Sequence, residues 1–395
     1  MTFDDIVAPL GAEAFLKDYL GQKPLHLQGS EEKFQAVMNW DVLNRLLGST
    51  ALWTNQTMVM ILDGEAVQPP SFTTPAPARN GGGSELRPDP VRVQQFLARG
   101  ATLVLNFIDQ LTPELSAFAR SLEQALGGTV QANLYLSSKR KQGFNAHFDF
   151  HDVFAMHVMG EKTWTVFEGR AEYPIKHPAF EGWTRERHDQ HKGELWRDVH
   201  LKPGDLLYLP RGQYHYALAD DQPCVHVAWG VTYPIGMDVL SYAYDRVVGE
   251  AVGRANLPRD PAALQARLAE IGKAVARLLA EPKALADVQE LCTRFHWPRD
   301  TYDLPGVIER AEEAYRVKGS GLRLVSQGGR HGLVKEGTRQ AVEVPAAIHQ
   351  QVAWVLARER FAKRELAGAF PGETAATLDR LLSDLRRMAL VEPTV

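Results

Sequence analysis

Between residues 129 and 234 the chain is written in short apolar-polar alternations cut by Gly and Pro: TVQANLYLSS, AHFDFHDVFAMHV, KTWTVFEG, WRDVHLKPGDLLYLP, YHYALA and CVHVAWGVTYP. A period of two is the pattern of half-buried strands. Gly and Pro mark turns between these short strands. The stretch therefore predicts a mainly β core, an antiparallel jelly roll or double-stranded β-helix, rather than a βαβ sheet. Just before it, TPELSAFARSLEQALG has a Thr cap, a Pro at the first helical position and a Glu soon after. That segment reads as a helix packed against the barrel.

One alternation carries an HxD pair, His147 and Asp149, and a second His, His215, follows far downstream in LPRGQYH. In a strand, residues two apart share a face, so two sequence-distant strands can bring three ligands to one point. Two imidazoles and a carboxylate on one face are the set favoured by Fe(II) in non-haem oxygenases, with the opposite positions left open for a co-substrate and O2. An HxD pair also arises by chance in a chain with 13 histidines. The alternation argues against chance, as does the cost of burying a carboxylate beside an imidazole without a metal or partner. His151 shares the strand face, but at strand rise it would lie about 13 Å from His147, beyond one metal's reach. His188 and His191, in the polar stretch RERHDQHKGE, read as part of a solvated insert, and with His157, His177 and His200 they are set aside as non-ligands.

At this point the chain resembles the JmjC-type 2-oxoglutarate oxygenases of the cupin superfamily, and among them the ribosomal oxygenases that hydroxylate ribosomal proteins. The resemblance rests on FLKDYLGQKPLHLQG, then ANLYLSSKRKQGFNAHFDFHDVFAMHVMGEKTWTVF, then KPGDLLYLPRGQYHYAL, in that order, and covers roughly residues 10 to 235. It implies Fe(II) held by His147, Asp149 and His215, with 2-oxoglutarate and O2 as co-substrates. It further implies that Lys162 and Tyr135 grip the far carboxylate of 2-oxoglutarate and that Asn133 contacts substrate beside the iron. His226 matches a His of several relatives near the co-substrate end of the pocket, and a hydrogen-bonded structural role in VHVAW fits it as well. Lys162 would share its face with the apolar Trp164 and Val166, which points it inward, whereas a Lys in a strand is ordinarily exposed. Ala228 and Gly230 stand where some relatives carry hydroxyl residues, so substrate identity does not carry across.

The implied substrate is a protein side chain, histidine or arginine of a ribosomal protein, with ANLYL and GEKTW tilting the reading towards histidine. Two other classes stay open. A cupin with the same ligands for zinc or manganese could be a non-redox enzyme, or the barrel could sense a ligand for a DNA-binding regulator.

The length of 395 residues exceeds one compact domain. We expect a catalytic domain over residues 1–236, a helical region over 237–315 and a winged helix over 316–395. Helical spacing in MDVLSYAYDRVVGEAVGRANL and in PAALQARLAEIGKAVARLLAEPKALADVQELCTRFHW supports the second, which in the resembling family forms a homodimer. A hairpin from GLRLVSQ and HGLVKEG, followed by three helical segments, supports the third. From residue 345 onward seven Lys or Arg face six Asp or Glu. That balance and the whole-chain charge of −4 argue against DNA binding and for protein contact.

Two cysteines, Cys224 and Cys292, fit a reducing compartment. The N-terminus opens with acids, and no apolar run reaches the roughly 20 residues that span a bilayer. We therefore expect a soluble, cytoplasmic protein without a membrane partner. The Pro- and Gly-rich stretch over residues 75–90 reads as an irregular loop, either substrate-facing or merely a surface connection.

Overall fold

The computed structural model describes residues 1–77, 83–137, 145–219, 222–299, 314–318, 321–335 and 341–394. These fall into two compact units, Met1–Arg299 and Asp300–Val395.

The first unit opens with α1 (Phe3–Val7), α2 (Ala12–Asp18), β1 (Leu25–Leu27), α3 (Trp40–Gly48), β2 (Met58–Leu62) and β3 (Glu65–Ala66). A ribbon of β4 (Thr73–Pro77) and β5 (Ser84–Pro88) follows, then α4 (Pro90–Ala98), β6 (Thr102–Leu105) and α5 (Pro113–Leu126). The barrel strands are β7 (Thr129–Ser137), β8 (Asp152–Met159), β9 (Lys162–Arg170), β10 (Leu195–Leu201), β11 (Leu206–Leu209), β12 (Gln213–Ala219) and β13 (Cys224–Thr232). Short helices α6 (Pro178–Glu181) and α7 (Arg185–His191) lie between β9 and β10.

Eight strands form one sheet in the order β1-β11-β8-β13-β7-β6-β2-β3, and a second sheet runs β10-β9-β12. The pairings within both sheets are antiparallel. The mainly β, antiparallel core expected from the alternation is therefore present.

Each face has its own filling. Outside the large sheet, α5 is capped by the Thr112 hydroxyl, which accepts from the Leu115 N–H. It buries Leu115, Phe118, Ala119 and Leu122, and Phe118 stacks on Trp229 of β13 with ring centroids 4.4 Å apart. Between the sheets, Val153, Ala155, Trp164, Val166, Val199, Leu201, Leu207 and Leu209 pack together. Gly204 turns the chain between β10 and β11 at φ +92°, and a Cβ there would overlap the Ser30 carbonyl. The next residue, Asp205, ties this turn to the N-terminal segment, accepting from Gly29 N–H at 3.1 Å and lying 3.0 Å from His26 Nε2.

Three local expectations are corrected. Residues 75–90 contain a two-stranded ribbon, in the register Pro75↔Leu86, rather than an irregular loop, with its tip at 78–82 outside the described residues. Prolines suit a two-stranded ribbon because each strand has an edge where a missing N–H costs no ladder bond. The alternation over residues 146–158 is regular strand only from Asp152 onward, and His147 stands ahead of it in an isolated bridge with His215. The insert after β9 is folded rather than simply solvated: His188 Nδ1 lies 3.1 Å from the Tyr214 hydroxyl, and Phe148 packs edge-on to Trp183 and Tyr214.

Helices α8 (Gly236–Val247), α9 (Ala251–Arg254), α10 (Pro261–Leu279) and α11 (Pro282–Arg294) complete the first unit, with α11 begun by the helix-starting Pro282. The second unit holds β14 (Ala314–Val317), β15 (Leu322–Gln327), β16 (Arg330–Lys335), β17 (Ala341–Val344), α12 (His349–Leu356), β18 (Arg360–Ala362), α13 (Lys363–Ala369), α14 (Ala375–Arg387) and β19 (Val391–Thr394). Its strands make two small sheets, β18-β14-β19 and β15-β16-β17, and its core is Val352, Val355, Phe361, Leu366, Leu378, Leu381, Leu382 and Leu385. The domain limit expected between residues 315 and 316 falls inside β14, and the 300–313 end of the expected helical region lies outside the described residues.

Candidate metal and co-substrate site

His147 reaches the site through backbone pairing rather than as part of a long strand. Its N–H donates to the His215 carbonyl at 3.1 Å and its carbonyl accepts from His215 N–H at 2.9 Å. The Gly212 N–H holds the Asp149 carbonyl at 3.0 Å. One ligand atom from each of His147, Asp149 and His215 lies within 4.8 Å of the others, and His215 Nε2 is 3.6 Å from Asp149 Oδ2. Among the described residues no other group of three or more His, Cys, Asp and Glu converges in this way.

Both imidazoles are oriented from behind. Nδ1 of His147 lies 2.8 Å from the Asn145 carbonyl and Nδ1 of His215 lies 3.0 Å from the Gln213 carbonyl. A carbonyl can only accept, so each Nδ1 carries the proton and each Nε2 offers its lone pair. The Trp164 indole stacks on His215 at 5.5 Å. Burial, reinforced by His147, pushes the His215 pKa down to about 4, which keeps the ring neutral at physiological pH. Burial alone would raise the Asp149 carboxyl, but His215, His151 and His147 outweigh it and hold the group below the ordinary carboxylate value. A neutral imidazole and an ionised carboxylate are the forms that bind a divalent cation.

Lys162, Tyr135, His226 and Asn133 line the same cavity, of about 460 Å³, as the three ligand residues. Lys162 begins β9 opposite Ala219 and is only 6% exposed. Trp164 and Val166 on its face are buried with it, as the sequence predicts. Its ammonium has no hydrogen bond or ion pair among the described residues, and burial lowers its pKa. Burial, with Asp149 adding, pushes the Tyr135 phenol up to about 12, so it keeps its proton and can donate. His226 lies parallel to the Tyr135 ring at 4.8 Å and edge-on to Trp164 at 5.4 Å. Burial drives its pKa well below the ordinary value, and its buried Nδ1 has no partner among the described residues. It stands apart from the three-ligand cluster, so the open side of a bound metal is not closed by a fourth imidazole. Asn133 Oδ1 accepts from the Phe107 N–H at 3.2 Å, and its side chain also hydrogen-bonds the Tyr135 phenol.

Sequence reasoning missed the opposite end of the cavity, where Thr129, Gln131, Thr232, Trp297 and His151 form the wall. Trp297 arrives from beyond α11 and is placed by its neighbour Arg299. The Arg299 guanidinium donates to Glu123 at 2.8 Å, to the Asp109 carboxylate at 2.9 Å and to the Val130 carbonyl at 2.6 Å. No local pattern announces a contact between residues 169 to 190 positions apart.

The donor set fits a divalent metal, and the unpaired cation beside a phenolic O–H fits one end of a dicarboxylate.

Comparison with known proteins agrees with this chemistry. Residues 108–239 match the JmjC domain family. Ribosomal oxygenase 2 of Mus musculus is 26% identical over 254 residues, covering 61% of this chain and 47% of that protein. The bifunctional lysine-specific demethylase and histidyl-hydroxylase NO66 of Drosophila persimilis is 26% identical over 235 residues, covering 57% of this chain and 31% of that protein. The chain thus spans less than half the length of these two animal relatives, whereas the match to the uncharacterized protein YxbC of Bacillus subtilis, at 26% identity, covers 72% of that protein. Among solved structures, that of ycfD from E. coli is similar over 97% of this chain and 98% of that one, at 16% identity and a TM-score of 0.48. Residues 108–239 are thus a JmjC-type domain, and the chain is similar to the ribosomal oxygenases.

Proposed function

We propose that this chain is an Fe(II)- and 2-oxoglutarate-dependent oxygenase that hydroxylates a protein side chain, histidine or arginine of a ribosomal protein. One observation carries the proposal: the buried, unpaired Lys162 opens into the same cavity as His147, Asp149 and His215. An unpaired ammonium in a dry pocket is costly, and an anionic co-substrate relieves that cost.

Bound Fe(II), 2-oxoglutarate and O2 would supply the oxidising chemistry that places a hydroxyl group on carbon. The residues of the chain do the rest. His147 and His215 present neutral Nε2 lone pairs, and Asp149 contributes the negative charge of the ligand set. Lys162 and the Tyr135 O–H hold the far carboxylate of the co-substrate, which fixes its other end towards the ligand cluster. The flat His226 ring backs Tyr135, and the Asn133 amide faces the region where substrate enters. Trp164, packed against both His215 and His226, excludes water between the two ends of the site.

The protein target is supported by the names of the animal relatives, ribosomal oxygenase and histidyl-hydroxylase. Mass spectrometry of ribosomal proteins from a deletion strain and its parent tests it. A residue heavier by one oxygen atom only in the parent is expected, and identical spectra would end the ribosomal reading.

Residues 237–315 are proposed to form a homodimer contact. The exposed Met237, Leu240 and Tyr244 make a stripe along α8, with Leu268 and Leu285 also exposed on α10 and α11. Light scattering on the purified chain should give twice the 44.0 kDa of one chain, and a monomer would refute this. Residues 316–395 are proposed to be a winged helix that contacts protein, the near-balanced charge of its helical part from residue 345 onward, seven Lys or Arg against six Asp or Glu, disfavouring DNA. No described helix is long and apolar enough to cross a membrane, and we place the protein in the cytoplasm with its proposed target.

A further inference from the structure

The cavity wall on the far side of the ligand cluster from Lys162 has a distinct chemistry. Among the described residues lining the cavity, the one carboxylate is Asp149, which belongs to the ligand set. The far wall itself is uncharged at its polar positions: Thr129, Gln131 and Thr232, with the Trp297 indole beside them. A neighbouring cavity, which shares His147, has an acid in Asp189, but Lys192 pairs with it at 2.6 Å. A cationic side chain brought here would be desolvated next to a metal dication with no free carboxylate among the described residues to receive it, and guanidinium recognition favours such a partner.

On this side His151 has a ring whose orientation is set by a hydrogen bond. Its Nδ1 lies 3.1 Å from the Asp152 carbonyl, so Nδ1 carries the proton and Nε2 keeps a lone pair. The anchor is firm. The buried Asp152 carboxylate accepts from Tyr208 O–H at 2.6 Å, from Arg211 N–H at 2.7 Å and from Tyr233 O–H at 3.2 Å. The ring lies against Gly230 of β13, where a Cβ would come within 2.7 Å of Cε1, 2.9 Å of Nδ1 and 3.1 Å of Nε2. Only glycine leaves His151 its place, which gives Gly230 a physical reason in this site. Nε2 has no hydrogen-bond partner among the described residues.

We propose that His151 determines specificity by accepting, at Nε2, a hydrogen bond from a neutral N–H-bearing target side chain, an imidazole or a carboxamide rather than a guanidinium. The inference rests on the proposed protein hydroxylation and narrows its substrate class. Gln131 can complement the same group as donor or acceptor, and Trp297 offers a flat face to a planar side chain.

The test uses full-length, Fe(II)-loaded protein with 2-oxoglutarate and ribosomal proteins extracted from a deletion strain. Initial rates of oxygen incorporation are mapped by residue with mass spectrometry. Wild type is expected to modify histidine, asparagine or glutamine. The rate should fall roughly tenfold or more in His151→Leu, which leaves the donor unsatisfied, and recover in part in His151→Gln, whose amide oxygen accepts. Gly230→Ala, which leaves every polar group in place but displaces the ring, should fall with His151→Leu. A merely structural His151 would show no advantage of Gln over Leu, and that result, or an unchanged rate in His151→Leu, overturns its role. Modification of arginine by wild type overturns this inference alone and leaves the proposed oxygenase intact. No modified ribosomal protein, with or without succinate release, overturns the ribosomal reading and this inference with it.

Discussion

Replacing Lys162 with Met separates the two roles the buried ammonium plays. Without co-substrate it is a desolvated charge with no described partner, 6% exposed and flanked by Trp164 and Val166. Met keeps the length and removes the charge, so the apo protein should gain stability, on the order of 1–3 kcal/mol, the range seen when buried charges give way to packed apolar groups. Binding of 2-oxoglutarate should move the other way. Truncating one member of a buried charge pair costs about 2–5 kcal/mol, or roughly 30- to 4000-fold in affinity at 1.4 kcal/mol per decade.

Isothermal titration of the Fe(II)-loaded protein under nitrogen reads the affinity, and thermal unfolding without 2-oxoglutarate reads the stability. The pH dependence has a definite sign. Burial lowers the Lys162 pKa from 10.5, so the unfolded state binds the proton more readily than the folded state. Stability of wild type therefore rises with pH towards 10.5, and its deficit relative to Lys162→Met shrinks along the same range. A variant that binds 2-oxoglutarate as tightly as wild type, or that unfolds at a lower temperature in its absence, would refute the reasoning.

Other consequences follow from the same packing. His157 is fully buried, and desolvation pushes its pKa down to about 4 from 6.5. Protons bind the unfolded state first between those values, so stability drops by about 3 kcal/mol as the pH is lowered from 6.5 to 4, at 1.36 kcal/mol per pH unit, and denaturant titrations of His157→Gln should show a shallower loss. An equally steep loss in that variant would exclude His157 as the source. Arg299→Ala strands Glu123 and Asp109 as buried, unpaired carboxylates and should cost about 3–5 kcal/mol in urea unfolding, whereas a loss under about 1 kcal/mol would mean that water replaces the guanidinium. Gly204→Ala combines a left-handed φ with overlap of the Ser30 carbonyl and should lower stability by on the order of 2 kcal/mol; an unchanged Tm would show that the turn can open.

Much of this site is legible in the sequence because its chemistry lies on strands. A period of two puts Asn133 and Tyr135 on one face, and Lys162, Trp164 and Val166 on another, and the structure turns both towards one cavity or its buried wall. The HxD segment meets His215 for a partly different reason. His147 is aimed by a single bridge to His215 rather than by a continuous strand, and alternation gives no sign of where regular pairing stops. The proline-rich ribbon was hidden because Pro is a strong breaker inside sheets yet harmless at the open edge of two strands.

Least legible was the wall opposite Lys162. Trp297 reaches it only through the ion cluster of Arg299 with Glu123 and Asp109, and His151 only because Gly230 of another strand has no Cβ. Neither contact leaves a periodic trace. The exclusion of His151 as a ligand agrees with the cluster of His147, Asp149 and His215, but distance along a strand carried no sign that its ring would line the same cavity.

The most direct test of the oxygenase itself is succinate release by the full chain supplied with Fe(II), ascorbate, air, 2-oxoglutarate and ribosomal proteins, compared between wild type and His147→Ala. The account predicts succinate that requires both Fe(II) and 2-oxoglutarate and disappears in the variant. Succinate undiminished in His147→Ala, or none from wild type, would contradict it.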